Sequence, residues 1–182
     1  MTTIEDLRDV DLSQRFLSYD TTNGRIDDLA ARLGHRGMVP RVLRGGEMRT
    51  EPDLYRETAA ALQFPLYFGK NRNAFHDVIQ DLDLGPVRDG IIIIISEPDK
   101  VLCDSERSAL RWFVEEMRDA CVVWNSPVEE GQWWDRPPVP FHVVIAAPTA
   151  VLELTERLWA TLGAEFDRLE PDPEQVRQQL DG

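Results

Sequence analysis

The chain has 182 residues, enough for one domain with a real core and scarcely enough for two. A hydrophobic fraction of 42% excludes a wholly disordered chain, and 33 acidic against 20 basic residues set the net charge at −13. Such a surface disfavours nucleic acid and anionic membranes; it suits a basic partner, or serves solubility alone.

Residues 1–39 are polar and weakly patterned, an N-terminal extension with one predicted helix. In RIDDLAARLG, Ile26, Leu29, Ala30 and Leu33 fall at helical spacing before a Gly stop. PRVLRG (40–45) reads as a short strand followed by a Gly-Gly turn. TEPDLYRETAAAL then reads as a helix, with Thr50 as N-cap, Pro52 early and Leu54, Thr58, Ala61 and Leu62 on one side. Pro65 and Gly69 interrupt it. A second helix starts near Asn71 or Asn73 and buries Ala74, Phe75, Val78, Ile79 and Leu82, which leaves His76, Asp77 and Gln80 facing away from the core.

The run GIIIIIS has no alternation, so it predicts a strand covered on both faces, as in a parallel sheet with helices packed on it. DSERSALRWFVEEMRDAC predicts a helix with Ser105 as a possible cap. Leu110, Phe113, Val114 and Met117 form its inner face, and Glu115, Glu116, Arg118 and Asp119 point mostly outward. FHVVIAAP is a third strand. Between them lies a Pro/Gly-rich loop, 122–140, with three Trp. Either one of Trp133 and Trp134 packs against the domain, or the two form a contact patch. From 148 to 182 the pattern predicts one amphipathic helix, with Val151, Leu154, Leu158, Leu162, Phe166 and Leu169 along it, and an acidic tail. The strand and helix order within 40–147, β-α-α-β-α-β, implies a parallel sheet of three strands.

Cys103 and Cys121 form no CxxC pair, and MTTIEDLRDVDL lacks a basic stretch leading into an apolar one. The expectation is a cytoplasmic chain with no signal peptide and no disulfide framework. The longest apolar runs are too short to span a bilayer. GxSxG, Walker A and HExxH motifs are absent, and His35, His76 and His142 are too scattered to argue a metal site. His76 and Asp77 are neighbours on a helix and point about 100° apart, so they do not converge on one substrate. The expectation is a protein with no cofactor, no metal and no catalytic activity.

LYFGKNRNAFHDVI resembles the signature of the barstar family, intracellular inhibitors of barnase-type ribonucleases. A Tyr-aromatic-Gly-x-Asn turn (Tyr67, Phe68, Gly69, Asn71) leads into a helix with Ala74, an apolar Phe75 and then Asp77. The β-α-α-β-α-β order is similar, as is a later helix with acids four apart, Glu115 and Asp119. The resemblance covers 40–147, with 1–39 and 148–182 outside it. Two positions depart from the family pattern: an Asp of the first helical turn is Asn73 here, and a Trp before the key Asp is His76. The connection after the last helix is longer.

The resemblance implies a fold with a small three-stranded parallel sheet packed with helices, extended here by helices at both ends. It also implies a 1:1 protein partner with a basic, phosphate-binding cleft, probed through Tyr67, Gly69, Asn71, Asn73, His76, Asp77, Glu115 and Asp119. Asp77 is the carboxylate that takes the phosphate position, Tyr67 stacks on the target, and Gly69 and Asn71 add backbone and amide contacts. Glu115, Asp119 and the overall charge steer encounter. From the residues alone, Asp77, Glu115 and Asp119 read equally as a solvated helix face, and the same module could serve a different basic protein.

Overall fold

The computed structural model describes residues 2–10, 16–22, 25–83 and 89–170. Its strands are β1 (Phe16–Asp20), β2 (Val39–Arg44), β3 (Ile91–Ser96), β4 (Phe141–Ala147) and β5 (Phe166–Arg168). Its helices are α1 (Ile26–His35), α2 (Glu51–Ala61), α3 (Arg72–Ile79), α4 (Arg107–Trp124) and α5 (Thr149–Ala160).

All five strands are parallel and lie in the order β2-β3-β4-β1-β5. This corrects the three-stranded expectation. The three strands read from the sequence are β2, β3 and β4, but β4 is not an edge. Leu17 to Asp20 of β1 pair with Val144 to Ala147, and β5 pairs with the far side of β1. The flanking segments are therefore not simply helical additions; each contributes a strand.

The C-terminal helix is also shorter than its apolar spacing suggests. It ends at Ala160, where Gly163 takes φ +96 and Ala164 N–H donates to Trp159 O at 3.1 Å. That left-handed turn is natural for Gly and satisfies the last carbonyls. The buried stripe of α5 is Leu152, Thr155 and Trp159, and Leu154 and Leu158 face solvent. The acidic tail beyond Glu170 lies outside the described residues.

The two faces of the sheet hold two cores. Ile91, Ile93, Ile95, Phe141, Val143 and Ile145 point to one side, against Leu54, Phe75, Phe113 and Trp159 of the other four helices. Ile92, Ile94, Val144, Leu17 and Tyr19 point to the other, against Leu29 and Leu33 of α1 and against Ile4 and Leu7. All five Ile of β3 have no exposure, so the unalternating run is covered on both faces. The second cover comes from the N-terminal segment.

Helix α4 begins at Arg107 with no side-chain cap, so Ser105 does not serve as one. The helix runs on to Trp124, which shortens the loop before β4. Cys103 and Cys121 are both free, and burial pushes the Cys121 thiol up to about 12.

Candidate partner-binding surface

The turn between α2 and α3 is built around one anchor. Phe68 is buried and packs edge-on against Phe64 (4.9 Å between centroids) and Tyr55 (6.0 Å), and its N–H donates to Pro65 O at 2.9 Å. With that ring inward, its neighbours Leu66 and Tyr67 are thrown outward; Tyr67 is 84% exposed. Packing under the turn is therefore the role of Phe68, not of Tyr67. Lys70 sits at φ +49, a left-handed position that closes the turn.

Asn71 then caps α3. Its Oδ1 accepts from Ala74 N–H at 2.9 Å, and its Nδ2 donates back to Gly69 O at 3.2 Å. One side chain thus fixes both the start of the helix and the end of the turn. Gly69 leaves room for this: a Cβ there would stand 3.0 Å from Asn71 Nδ2.

On α3, Phe75, Val78 and Ile79 are buried, and His76 and Asp77 are exposed as their helical positions require. The two diverge. His76 Nδ1–H donates to Glu116 Oε2 of α4 at 2.9 Å, and Gln80 Nε2 lies 3.2 Å from the ring. Asp77 has no hydrogen bond or ion pair among the described residues. Asn73, His76 and Asp77 line a cleft of about 580 Å³ together with Arg72, Trp112 and Glu116.

The last three are site residues that the sequence reading missed or misplaced. Arg72 is clamped by Glu51, with Nε to Oε2 at 3.0 Å, and its guanidinium stacks 4.9 Å from the Trp112 ring centroid. The bond to Arg72 is the main reason the Glu51 carboxyl is held below its ordinary range, and Tyr55 also donates to Glu51 at 3.1 Å. Trp112 Nε1–H donates to Glu116 Oε1 at 3.1 Å. Glu116, expected to point outward, therefore bridges α4 to α3. The spacing of Trp112 and Glu116 by four residues is a signal for their shared face, but nothing in the spacing says that α3 lies over it. Glu115 and Asp119 do not line this cleft; Asp119 sits on the surface of α4 with Arg118 Nε 3.7 Å away.

No group of three His, Cys, Asp or Glu placed to hold a metal ion occurs among the described residues. No helix among them is long and apolar enough to cross a membrane. The arrangement is a rigid turn and helix that project an aromatic ring and an unpaired carboxylate.

Among solved structures, the chain is similar to Drosophila ORC bound to DNA, at 14% identity and a TM-score of 0.50, over 98% of this chain and 31% of that one. It is also similar to the Aeropyrum pernix ORC2 protein in ADPNP-ADP complexes, at 10% identity and a TM-score of 0.50, over 98% of this chain and 49% of that one. The chain thus spans less than half the length of these neighbours. At this identity the likeness concerns the fold alone, and it runs over nearly the whole chain, so it takes in β1 and β5 as well as the central strands. No curated protein matches the chain. The family model described as barstar (barnase inhibitor) matches residues 38–146, the stretch from the strand β2 through the capped turn and α3 to β4. With well over half of its residues in that match, the chain belongs to the barstar family.

Proposed function

We propose that the protein is a barstar-type inhibitor, which neutralises a barnase-type ribonuclease by filling its basic active-site cleft 1:1. The observation that carries this reading is that Tyr67 and Asp77 both face solvent from one capped turn-helix unit, with Asp77 unpaired among the described residues. An unpaired carboxylate on a rigid helix loses little entropy on binding and gains charge-assisted hydrogen bonds from Arg and Lys. In a cleft that binds RNA phosphate, Asp77 takes the phosphate position and Tyr67 covers it from water. The net charge of −13 speeds encounter with a cationic enzyme, an advantage that shrinks as salt rises. The protein acts by occupying the site, without chemistry of its own.

Asn73 and His76 define the chain's own variant of the surface. Asn73 offers an amide where the family pattern has an acid, and His76 is engaged with Glu116, so Asp77 is the main free charge that α3 presents. Calorimetric titration into a barnase-type ribonuclease, alongside an RNA-cleavage assay, tests the proposal with Asp77→Ala as the control. Tight 1:1 binding and inhibition that the variant loses are expected. Absence of binding by the unmodified protein would reject the ribonuclease and leave a different basic protein as the partner of this face.

A further inference from the structure

Residues 125–140, between α4 and β4, form a hairpin. Val128 and Arg136 exchange backbone hydrogen bonds at 2.9 and 3.1 Å. The Asp135 carboxylate accepts from the backbone N–H groups of Glu130, Gly131 and Gln132 at 3.0, 2.9 and 3.2 Å. At the base, the Arg136 guanidinium stacks 4.5 Å from the Trp124 ring centroid and donates to Trp124 O and Val123 O at 3.0 and 3.2 Å. This scaffold holds two indoles in water. Trp133 is 89% exposed and Trp134 48% exposed, with ring centroids 5.5 Å apart. Trp134 Nε1–H donates to Glu130 Oε2 at 2.8 Å, so the pair is oriented rather than loose. Neither Trp packs into the domain.

The hairpin stands at the end of the contact helix. Trp124, on which Arg136 stacks, donates its Nε1–H to Ile79 O, the last residue of α3, at 2.9 Å. Asp81, just past α3, acts electrostatically on the same Arg136. Asp77 lies two residues before Ile79, on the last turn of the same helix. The base of the hairpin is therefore joined, through Trp124, to the C-terminal end of the helix that carries Asp77.

We propose that this hairpin is a second arm of the same interface, with Trp133 and Trp134 stacking on arginine or lysine side chains at the rim of the basic protein that accepts Asp77. The inference rests on reading α3 as the contact helix. Charge selects the occupant. Asp135 is consumed within the hairpin, the Glu130 carboxylate lies against Trp134, Glu129 adds a further acid to the same short segment, and the chain carries −13 in all. A second copy of the chain would bring like charges together, whereas a cationic side chain gains both the aromatic faces and the carboxylates.

The test titrates the unmodified protein, Trp133→Ala, Trp133→Phe and Asp77→Ala into one barnase-type ribonuclease at fixed low salt, with nona-arginine as a second titrant followed by tryptophan fluorescence. We expect Trp133→Ala to bind the ribonuclease at least about tenfold more weakly, with most of that loss absent in Trp133→Phe. Binding by Trp133→Ala equal to the unmodified protein, while Asp77→Ala loses it, overturns the second arm and leaves the inhibitor reading standing. Failure of the unmodified protein to bind the ribonuclease rejects that reading instead, and nona-arginine then decides. Affinity about threefold weaker in Trp133→Ala upholds a cation-stacking arm, and unchanged affinity overturns it. A dimer in sedimentation that Trp133→Ala dissolves also overturns it.

Discussion

His76 Nδ1 lies 2.9 Å from one oxygen of Glu116, and the other oxygen of that carboxylate accepts the Trp112 indole N–H at 3.1 Å. A single side chain of α4 thereby fixes the rim of the cleft and the ring of the residue next to Asp77. The engagement also sorts the acids: Glu116 is turned to internal partners, and Asp77 has none among the described residues.

The two halves of this bridge differ in cost. The imidazole is half exposed, so His76→Ala should change stability by less than about 1 kcal/mol. Glu116→Ala strands the half-buried indole N–H of Trp112 and should cost about 1–3 kcal/mol, most of it restored by Glu116→Gln, which keeps an acceptor. Urea unfolding of the two single variants and the double variant gives the coupling energy. A value of about 0.2–1 kcal/mol is expected. Zero coupling would mean that His76 and Glu116 do not meet in solution.

The second face of β3 leads to a prediction about the N-terminal segment. Leu33 has no exposure and packs in the core that contains Ile92, Ile94 and Val144. Leu33→Ala should cost about 2–5 kcal/mol, read from the urea midpoint. Residues 38–146 alone would expose that apolar face and open the β4 edge where β1 pairs. Such a fragment should elute as aggregates in size-exclusion chromatography. A stable monomer would show that the family-matched stretch is self-sufficient.

The same strands show where sequence reading succeeds and stops. The runs 91–95 and 141–147 declare buried parallel strands by lacking alternation, and Asn71 and Asn73 declare a nearby helix start by their chemistry without saying which of them caps it. FLSYD and FDR carry no comparable signal. β1 mixes Ser and Asp with apolar residues and β5 has three residues, and both are strands because they find a distant partner. Gly163 marks the end of α5, but Phe166 and Leu169 beyond it keep an approximate helical spacing that masks the stop. At the site, the outward position of Asp77 follows from the helical period and the capping chemistry of Asn71 from its residue type, whereas Tyr67 is singled out only by the family resemblance. Whether Glu115 or Glu116 meets α3 depends on how two helices dock, which no local pattern encodes.

Acid should weaken the fold in two steps. His142 is fully buried on β4 with Nε2–H donating to Leu7 O at 2.8 Å, and burial pushes its pKa below the ordinary 6.5. A depressed folded value means that the unfolded chain takes the proton first, so stability present above about 6.5 is lost as pH falls from there through the folded value. The Glu57 carboxyl, held down mainly by its bond to Arg44, adds a second loss as pH falls below its ordinary 4.5. His142→Gln retains a donor for Leu7 O and should remove only the first step. Urea midpoints from about pH 8 to pH 3.5 separate the two. An identical first step in the variant would place its origin elsewhere.

Asn71 ties stability to binding in a way that can be measured with one residue. Its Oδ1 caps Ala74 N–H and its Nδ2 holds Gly69 O, so Asn71→Ala frees a helix N–H and unties the turn that presents Tyr67. Loss of the cap should cost about 1 kcal/mol, seen as a lower urea midpoint with an unchanged slope. Asn71→Asp keeps the acceptor for Ala74 but cannot donate to Gly69, so it should recover most of the stability. If the turn's rigidity matters to the partner, Asn71→Asp should remain weaker in binding than its stability implies, since Tyr67 must then be ordered on contact. Equal recovery of stability and affinity in Asn71→Asp would assign Asn71 to the helix cap alone and leave the hydrogen bond to Gly69 without a part in recognition.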